Sequence, residues 1–254
     1  VYKRQLQKLT ECQMIKDIIR KLRVNALHGI ANIRAGSIEP KESLLIIAPH
    51  PDDEVIGCAG LIQRSLNKGN DVYVIILTGG EASHNGCCGI TSQELITARR
   101  GLAININRKL GIPTKNLFFL DYPDGKISYN HQETDKLSRL IKNIHPHAIF
   151  IPHKGEGWND HIQAGNIIRR ITTEMTNIRL YEYCVWFWYY NTWKIDWKNA
   201  QLLNMTKEEH LKKKKAIDKY IYPKAPCGKP WSGTLPKIFI HANRWNKELY
   251  FKIR

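Results

Sequence analysis

The 254-residue sequence has no apolar run approaching the 18 or so residues that span a membrane. It has no Gly-x-Gly-x-x-Gly after its first apolar stretch, which argues against a bound dinucleotide. Internal repeats and low-complexity tracts are absent, and its six cysteines show no Cys-x-x-Cys zinc spacing. The one adjacent pair, Cys87-Cys88, would give only a strained vicinal disulfide, so all six thiols are read as reduced. Acidic residues are scarce: 23 Asp+Glu face 39 Lys+Arg, a net charge of +16. What is present is an ordinary globular composition, 43% hydrophobic and 24% charged, which excludes disorder as the overall class. A chain of this length buries a sizeable core without disulfides, as one large domain with appendages. It begins at Val1 rather than Met, which leaves room for an upstream signal or anchor.

The positive charge sits at the two ends. Residues 1–40 carry eight basic and three acidic side chains, and residues 198–254 carry fourteen and four. The centre, 41–197, is nearly neutral with 17 basic and 16 acidic. A nucleic-acid binder would be expected to spread a basic face over its working surface, so nucleic acid is not an expected partner.

Residues 1–35 read as one or two basic amphipathic helices, with Leu6, Leu9, Met14, Ile15, Ile18, Ile19 and Leu22 near helical spacing. From residue 43 short apolar runs alternate with helical patterns. Strands are expected at 43–50, 71–80, 116–121, 147–152 and 179–186, and helices at about 54–68, 92–111, 133–144 and 161–175. This alternation predicts an α/β fold, a mostly parallel sheet covered by helices on both faces, with ligands outside the carboxyl ends of the strands. Beyond 198 the pattern becomes a Lys-rich helix at about 206–220, a Pro/Gly-rich loop from Pro223 to Pro236, and a terminal hairpin with strands near 237–241 and 248–253.

The first apolar strand ends in 49-PHPDDE-54, one imidazole and three acids within five residues. A strand end turning into a helix fans successive side chains around one point. His50 and Asp53 can then share a metal while Asp52 points beside it. Crowding three carboxylates costs repulsion, which a divalent cation relieves. Capping of the next helix explains one acid, not three beside a His. A catalytic zinc keeps three protein ligands and an open position, and the candidate third is His161 in 157-GWNDHIQAG-165, after the strand at 147–152.

The stretch 50-HPDDEVIGCAGLIQRSLNKGNDVYVIILTGGE-81 resembles the PIG-L/LmbE family of zinc-dependent de-N-acetylases, and the likeness continues through 117-LFFLDYPDG-125 and 160-DHIQAG-165. It covers about residues 44–175. The resemblance implies a Rossmann-like three-layer sandwich, one Zn2+ per chain held by His50, Asp53 and His161, and Asp52 as general base. The reaction it implies is hydrolysis of the acetamide of an N-acetylglucosamine-type sugar or glycoconjugate. Arg99 fits the family's basic position. Two positions depart from the pattern. Trp158 stands where the family commonly has a His that supports the oxyanion or donates a proton, and an indole transfers no proton at neutral pH. Leu102 sits where an acid is usual and reads as helix packing. Trp158 therefore motivates an alternative, a catalytically weak metal- or glycan-binding member of the same fold.

Trp158, Arg99, His84 and Asp124 are candidate substrate contacts, although Asp124 in the DYPDG turn has the simpler role of stabilising that turn. His84 and His153 are candidate substitute acids. In the aromatic stretch 181–193, Tyr181, Tyr183 and Val185 read as strand core, and Trp186, Trp188 and Trp193 as a possible sugar- or lipid-facing wall. Lys213 and Ala216 match a structural Lys-x-x-Ala element of the family. The division expected is a basic helical extension at 1–40 and a deacetylase domain at 41–254. The basic ends suggest docking to an anionic lipid or membrane surface, hence a cytoplasmic protein peripheral at a membrane.

Overall fold

Leu44–Ala48 is five apolar residues in a row, all buried, as a strand covered on both faces must be. The computed structural model describes the chain except for residues 1, 85–88 and 191–193, and in the first helix it describes side chains from Ile15 onward. Cys87, Cys88 and Trp193, and the side chains of Leu6, Leu9 and Met14, lie outside the described residues. A helix α1 (Tyr2–Arg34) leads into a two-residue strand β1 (Gly36–Ser37) and then β2 (Leu44–Ala48). There follow α2 (Asp53–Asn67), β3 (Val72–Thr78), α3 (Ser92–Leu110), β4 (Leu117–Tyr122), α4 (Glu133–Ile144), β5 (Ala148–Pro152), α5 (Asn159–Ile171) and β6 (Arg179–Tyr183). The chain closes with β7 (Ala200–Asn204), α6 (Lys207–Ile221), α7 (Lys237–Asn243) and β8 (Lys247–Lys252).

The sheet order is β1-β7-β8-β6-β5-β2-β3-β4, with β2 to β6 parallel and β8 antiparallel to both β6 and β7. Successive residues of β2 and β3 serve opposite layers. Leu44, Ile46 and Val74 pack with Val55, Leu61 and Ile106 on one face. Leu45, Ile47 and Ile75 pack with Leu137, Ile141 and Ile168 on the other. This is the expected three-layer α/β fold. Among the described residues no helix is long and apolar enough to cross a membrane.

The terminal hairpin is a correction. Residues 237–243 form the helix α7, and β8 pairs instead with β6 and with β7, a strand the sequence reading missed. Ala200–Asn204 has only three buried residues and follows an aromatic loop, so no alternation marks it as a strand. The expected helix at 161–175 is also displaced, running from Asn159 to Ile171.

Close packing of α2 on the sheet requires glycine at 57, where a Cβ would lie 2.3 Å from the Tyr183 ring. Three residues on, the amides of Gly60 and Leu61 donate to the Glu248 carboxylate at 2.8 and 2.9 Å. Glu248 is fully enclosed in β8, and Lys213 Nζ donates to it at 2.7 Å. One lysine of the run 212-KKKK-215 is thus an interior ion, while Lys212 pairs with Glu208 on the surface. Lys213→Met should lower unfolding free energy by about 3–5 kcal/mol, because it strands a buried carboxylate. Lys212→Met should change it by less than about 1 kcal/mol, and urea denaturation of both variants checks the contrast.

Candidate functional site

In the parallel core the chain steps from β2 to β3 and β4 on one side and to β5 and β6 on the other. Strand order therefore reverses between β2 and β5, where the diverging crossovers leave a crevice at the carboxyl ends. The segment 49–54 follows β2 and the segment 153–161 follows β5, so topology alone brings the two motifs face to face.

The turn after β2 is built under strain. Asp52 has φ 131° and ψ −29°, a conformation costly for any residue with a Cβ. A set of hydrogen bonds from several elements holds it there. The Asp52 amide donates to Glu54 Oε2 at 3.0 Å, and Glu54 Oε1 accepts from Asn107 at 2.7 Å and Tyr220 at 2.6 Å. Arg99 Nη2 reaches the Pro51 carbonyl at 2.9 Å and Asp52 Oδ2 at 3.3 Å. Arg99 Nη1 donates to the carbonyl of Gly80 at 2.8 Å, and a Cβ at residue 80 would sit 2.0 Å from that nitrogen, so only glycine leaves room for the guanidinium. Thr78 Oγ1 donates to Pro49 O at 2.9 Å, tying the turn to β3.

Within this frame His50, Asp53 and His161 place one ligand atom each within 4.8 Å of the others. His50 Nδ1 lies 3.2 Å from Asp53 Oδ2, and His161 Nε2 lies 3.4 Å from the same oxygen. On its far edge His50 Nε2 meets Asp124 Oδ1 at 3.0 Å and Asp160 Oδ2 at 3.3 Å. A ring whose Nε2–H is taken by carboxylates keeps its Nδ1 lone pair for a metal. His161 is 1% exposed, yet neither of its ring nitrogens has a hydrogen-bond partner among the described residues. An imidazole that dry and unpartnered, beside a carboxylate oxygen and a second imidazole, fits a divalent ion of zinc's preference.

Charge at the site is divided. Burial acts upward on Asp53, but His161 and His50 outweigh it and hold the carboxyl below its ordinary range. Asp52 goes the other way: burial raises it well above the ordinary range, with Asp53 adding and Arg99 opposing. Asp124 is held at about 2, its hydrogen bond with His50 overcoming burial.

A cavity of about 450 Å³ opens over these groups, lined by His50, Asp52, Asp53, Asp124 and His161, with Trp158 and Trp186 on one wall. Arg99 lines it too, but its hydrogen bonds go to the turn, so it is placed to hold Asp52. Trp158 is 46% exposed with its ring 5.4 Å from that of Trp186. Asp124 is tied to His50 and to the Ala82 amide, at 2.7 Å, more than to a turn of its own. His84 is buried beside Ser83 and does not reach the lining. His153 does not reach it either: Nδ1 accepts from Gly155 at 2.9 Å, and the ring packs on Phe187 and Phe251. Trp188 lies in a separate apolar cluster under α1.

Two acids escaped the sequence reading. Asp160 accepts from the amides of Gly125 and Ile127 at 2.7 and 3.2 Å while facing His50, so it pins the 123–127 loop to the site. Glu156 accepts from the amides of Val185, Trp186 and Phe187 and lies 3.5 Å from His161 Nδ1. The available signal was an acid inside 154-KGEGWNDH-161, a segment already suspected from His161. Ser232, Gly233 and Thr234, from the Pro/Gly-rich loop, close the far rim, and nothing in their sequence marks them.

With the geometry in place, residues 45–172 match the family model described as GlcNAc-PI de-N-acetylase. The chain is 32% identical over 143 residues to a probable N-acetyl-alpha-D-glucosaminyl L-malate deacetylase 2 of Bacillus subtilis, covering 51% of this chain and 60% of that protein. It is 28% identical over 127 residues to a diacetylchitobiose deacetylase of Thermococcus kodakarensis, covering 49% and 46%. The chain thus spans less than two thirds of the length of either curated relative. An N,N'-diacetylchitobiose deacetylase structure from Pyrococcus horikoshii, at 22% identity, superposes with TM-score 0.57 over 70% of this chain and 69% of that one. At that identity the superposition bears on the fold alone.

Arg99→Met should destabilise the metal-free protein by about 3–5 kcal/mol, because it leaves Asp52 buried without its cation. Arg100→Met, at the half-exposed pair with Asp121, should cost less; guanidinium unfolding of both checks this. His153 is pushed down by burial to about 3, so its imidazole is neutral when folded and protonates in the unfolded chain below about pH 6.5. Its contribution to stability is therefore present above that pH and lost as pH falls toward 3. An NMR titration should show no His153 midpoint above pH 5, and a midpoint near 6.5 would contradict this assignment.

Proposed function

The chain belongs to the GlcNAc-PI de-N-acetylase family, and from that premise we propose that it is a zinc-dependent hydrolase removing the acetyl group from an N-acetylglucosamine-type sugar or its conjugate. The observation that carries the reading is the dry, unpartnered His161 ring set against Asp53 and His50. His50 Nδ1, Asp53 Oδ2 and His161 Nε2 would hold the ion, a His/Asp/His set of the kind catalytic zinc sites use. Bound zinc supplies Lewis acidity for the amide carbonyl and for the attacking water.

The remaining steps belong to side chains. Asp52, raised by burial, lines the cavity beside the ligand set and accepts the proton of the attacking water. That water's oxygen bonds to the acetyl carbon and the C–N bond breaks. Asp52 returns the proton to the departing nitrogen, leaving acetate and the free amino sugar. Arg99 keeps the Asp52 carboxylate at the cavity edge through both transfers. Asp124 and Asp160 hold the Nε2 edge of His50 by hydrogen bonds and so orient that ring, and the Glu156 carboxylate stands 3.5 Å from Nδ1 of His161. The half-exposed Trp158 offers an apolar face to the sugar ring.

Trp158 also favours a second reading, in which the site binds a metal and a glycan without turnover, since no imidazole stands at that position to donate a proton. An acetate-release assay on N-acetylglucosamine and chitooligosaccharides, with zinc content measured in parallel, separates the two. Asp52→Asn should keep bound zinc and lose about 10²–10⁴-fold in turnover. His161→Ala should lose the zinc itself. Absence of turnover in both the native protein and Trp158→His would establish the binding reading instead.

A further inference from the structure

Helix α1 is apolar on two opposite sides. At about 100° per residue, the buried Val24, Leu27 and Ala31 form one face, packed on Phe187, Trp188 and Leu202. Ile15, Ile18, Ile19, Leu22, Ile30 and Ile33 fall in a sector of about 120° on the other side. Every one is exposed, Leu22 by 64% and Ile33 by 83%. Ala26 and Gly29 continue the stripe, also exposed. Single exposed apolar residues need no explanation, but a continuous stripe about 27 Å long does. The helix cannot roll to hide it. Arg23 donates to the Trp188 carbonyl at 2.8 Å and Arg20 lies over the Tyr189 ring at 4.6 Å.

What borders the stripe is cationic. Lys16, Lys21 and Arg34 are exposed along its margins, and residues 1–40 carry a net +5. Beyond Asn25 and His28 opens a groove of about 700 Å³ between α1, α7 and the end of α6. Exposed Lys237 and His241 stand on its α7 wall, and Trp245, stacked on His28 at 4.0 Å, lies beneath. Arg244 is already matched by Asp218, and His241 Nε2 lies 3.4 Å from Asn25 Oδ1, so among the described residues lining the groove Lys237 is the cation left for an incoming anion. Helix α7 has two sides as well, and its Phe239 lines the proposed catalytic cavity.

We propose that this face docks on an anionic phospholipid bilayer, with the isoleucine stripe among the upper acyl chains and a lipid phosphate in the groove beside Lys237. An apolar stripe flanked by lysine and arginine is what an interfacial helix needs. A second copy fits less well, because pairing two such stripes would bring like-charged margins together. Through α7, docking would set the cavity one helix away from the surface. The inference stands apart from the deacetylase reading, because its readout is partition and not turnover.

The test is cosedimentation of the full chain with vesicles of phosphatidylcholine alone or containing phosphatidylglycerol. The native protein should partition about tenfold or more better onto the anionic vesicles, and high salt should weaken it. The exposed-face variant Ile18→Gln/Ile19→Gln/Leu22→Gln should lose at least about tenfold of that partition, and Lys237→Gln should lose a smaller part. Circular dichroism reports whether the triple variant stays folded. If it does not, Ile33→Gln, the most exposed position, takes its place. Equal binding to both vesicle types, or a folded variant that binds as the native chain does, would overturn the proposal. So would a native dimer in sedimentation that the triple variant converts to monomer.

Discussion

The site depends on one turn, the passage from β2 into α2 through Pro49–Glu54. A tight strand-to-helix turn at a switch point aims consecutive side chains at one place, but only with a backbone that Asp52 adopts against its own preference. The fold holds that conformation from several directions: Arg99 from α3, Glu54 with Asn107 and Tyr220 behind it, and Thr78 from β3. The tethers come from α2, α3, α6 and β3. The turn is therefore as rigid as the packing of α2, α3 and α6 on the sheet, and the interior pair of Lys213 with Glu248 belongs to the same packing.

The electrostatics follow from that rigidity. Five carboxylates, on Asp52, Asp53, Asp124, Glu156 and Asp160, come together around two imidazoles, and such crowding is unfavourable unless cations divide it. Asp53 takes the imidazoles, Asp52 takes Arg99 and stays raised by burial, and Glu156 and Asp160 spend their oxygens on backbone amides. Neighbouring acids are thereby pushed to opposite protonation tendencies. That separation suits one carboxylate to ligand duty and the other to moving a proton.

Much of this was legible in the sequence, and for local reasons. Strands buried on both faces announce themselves as apolar runs such as 43-SLLIIAPH-50, and a helix closed by a glycine, as Ser92–Leu110 is by Gly111, marks its own end. His50, Asp52 and Asp53 were readable because one turn carries them. His161 was readable only as the counterpart of that turn across the switch point. Asp160 and Glu156 were not, because their work is to accept amide protons from loops 29 to 35 residues away in sequence, and no spacing encodes that. The antiparallel wing was misread for a related reason: β8 is specified by β6 and β7, not by a hairpin partner, and residues 237–243 have enough apolar character for either strand or helix. The charge count was informative about location and uninformative about burial, since one lysine of 212-KKKK-215 is an interior ion.

The measurement closest to the central claim is anomalous diffraction at the zinc edge from crystals of the zinc-loaded protein. The account predicts a single strong peak about 2.0–2.2 Å from His50 Nδ1, Asp53 Oδ2 and His161 Nε2, with Asp52 beside it and outside the coordination shell. A peak seated instead among His50, Asp124 and Asp160, the other group among the described residues close enough to hold an ion, would contradict it, as would the absence of any peak at this end of the sheet.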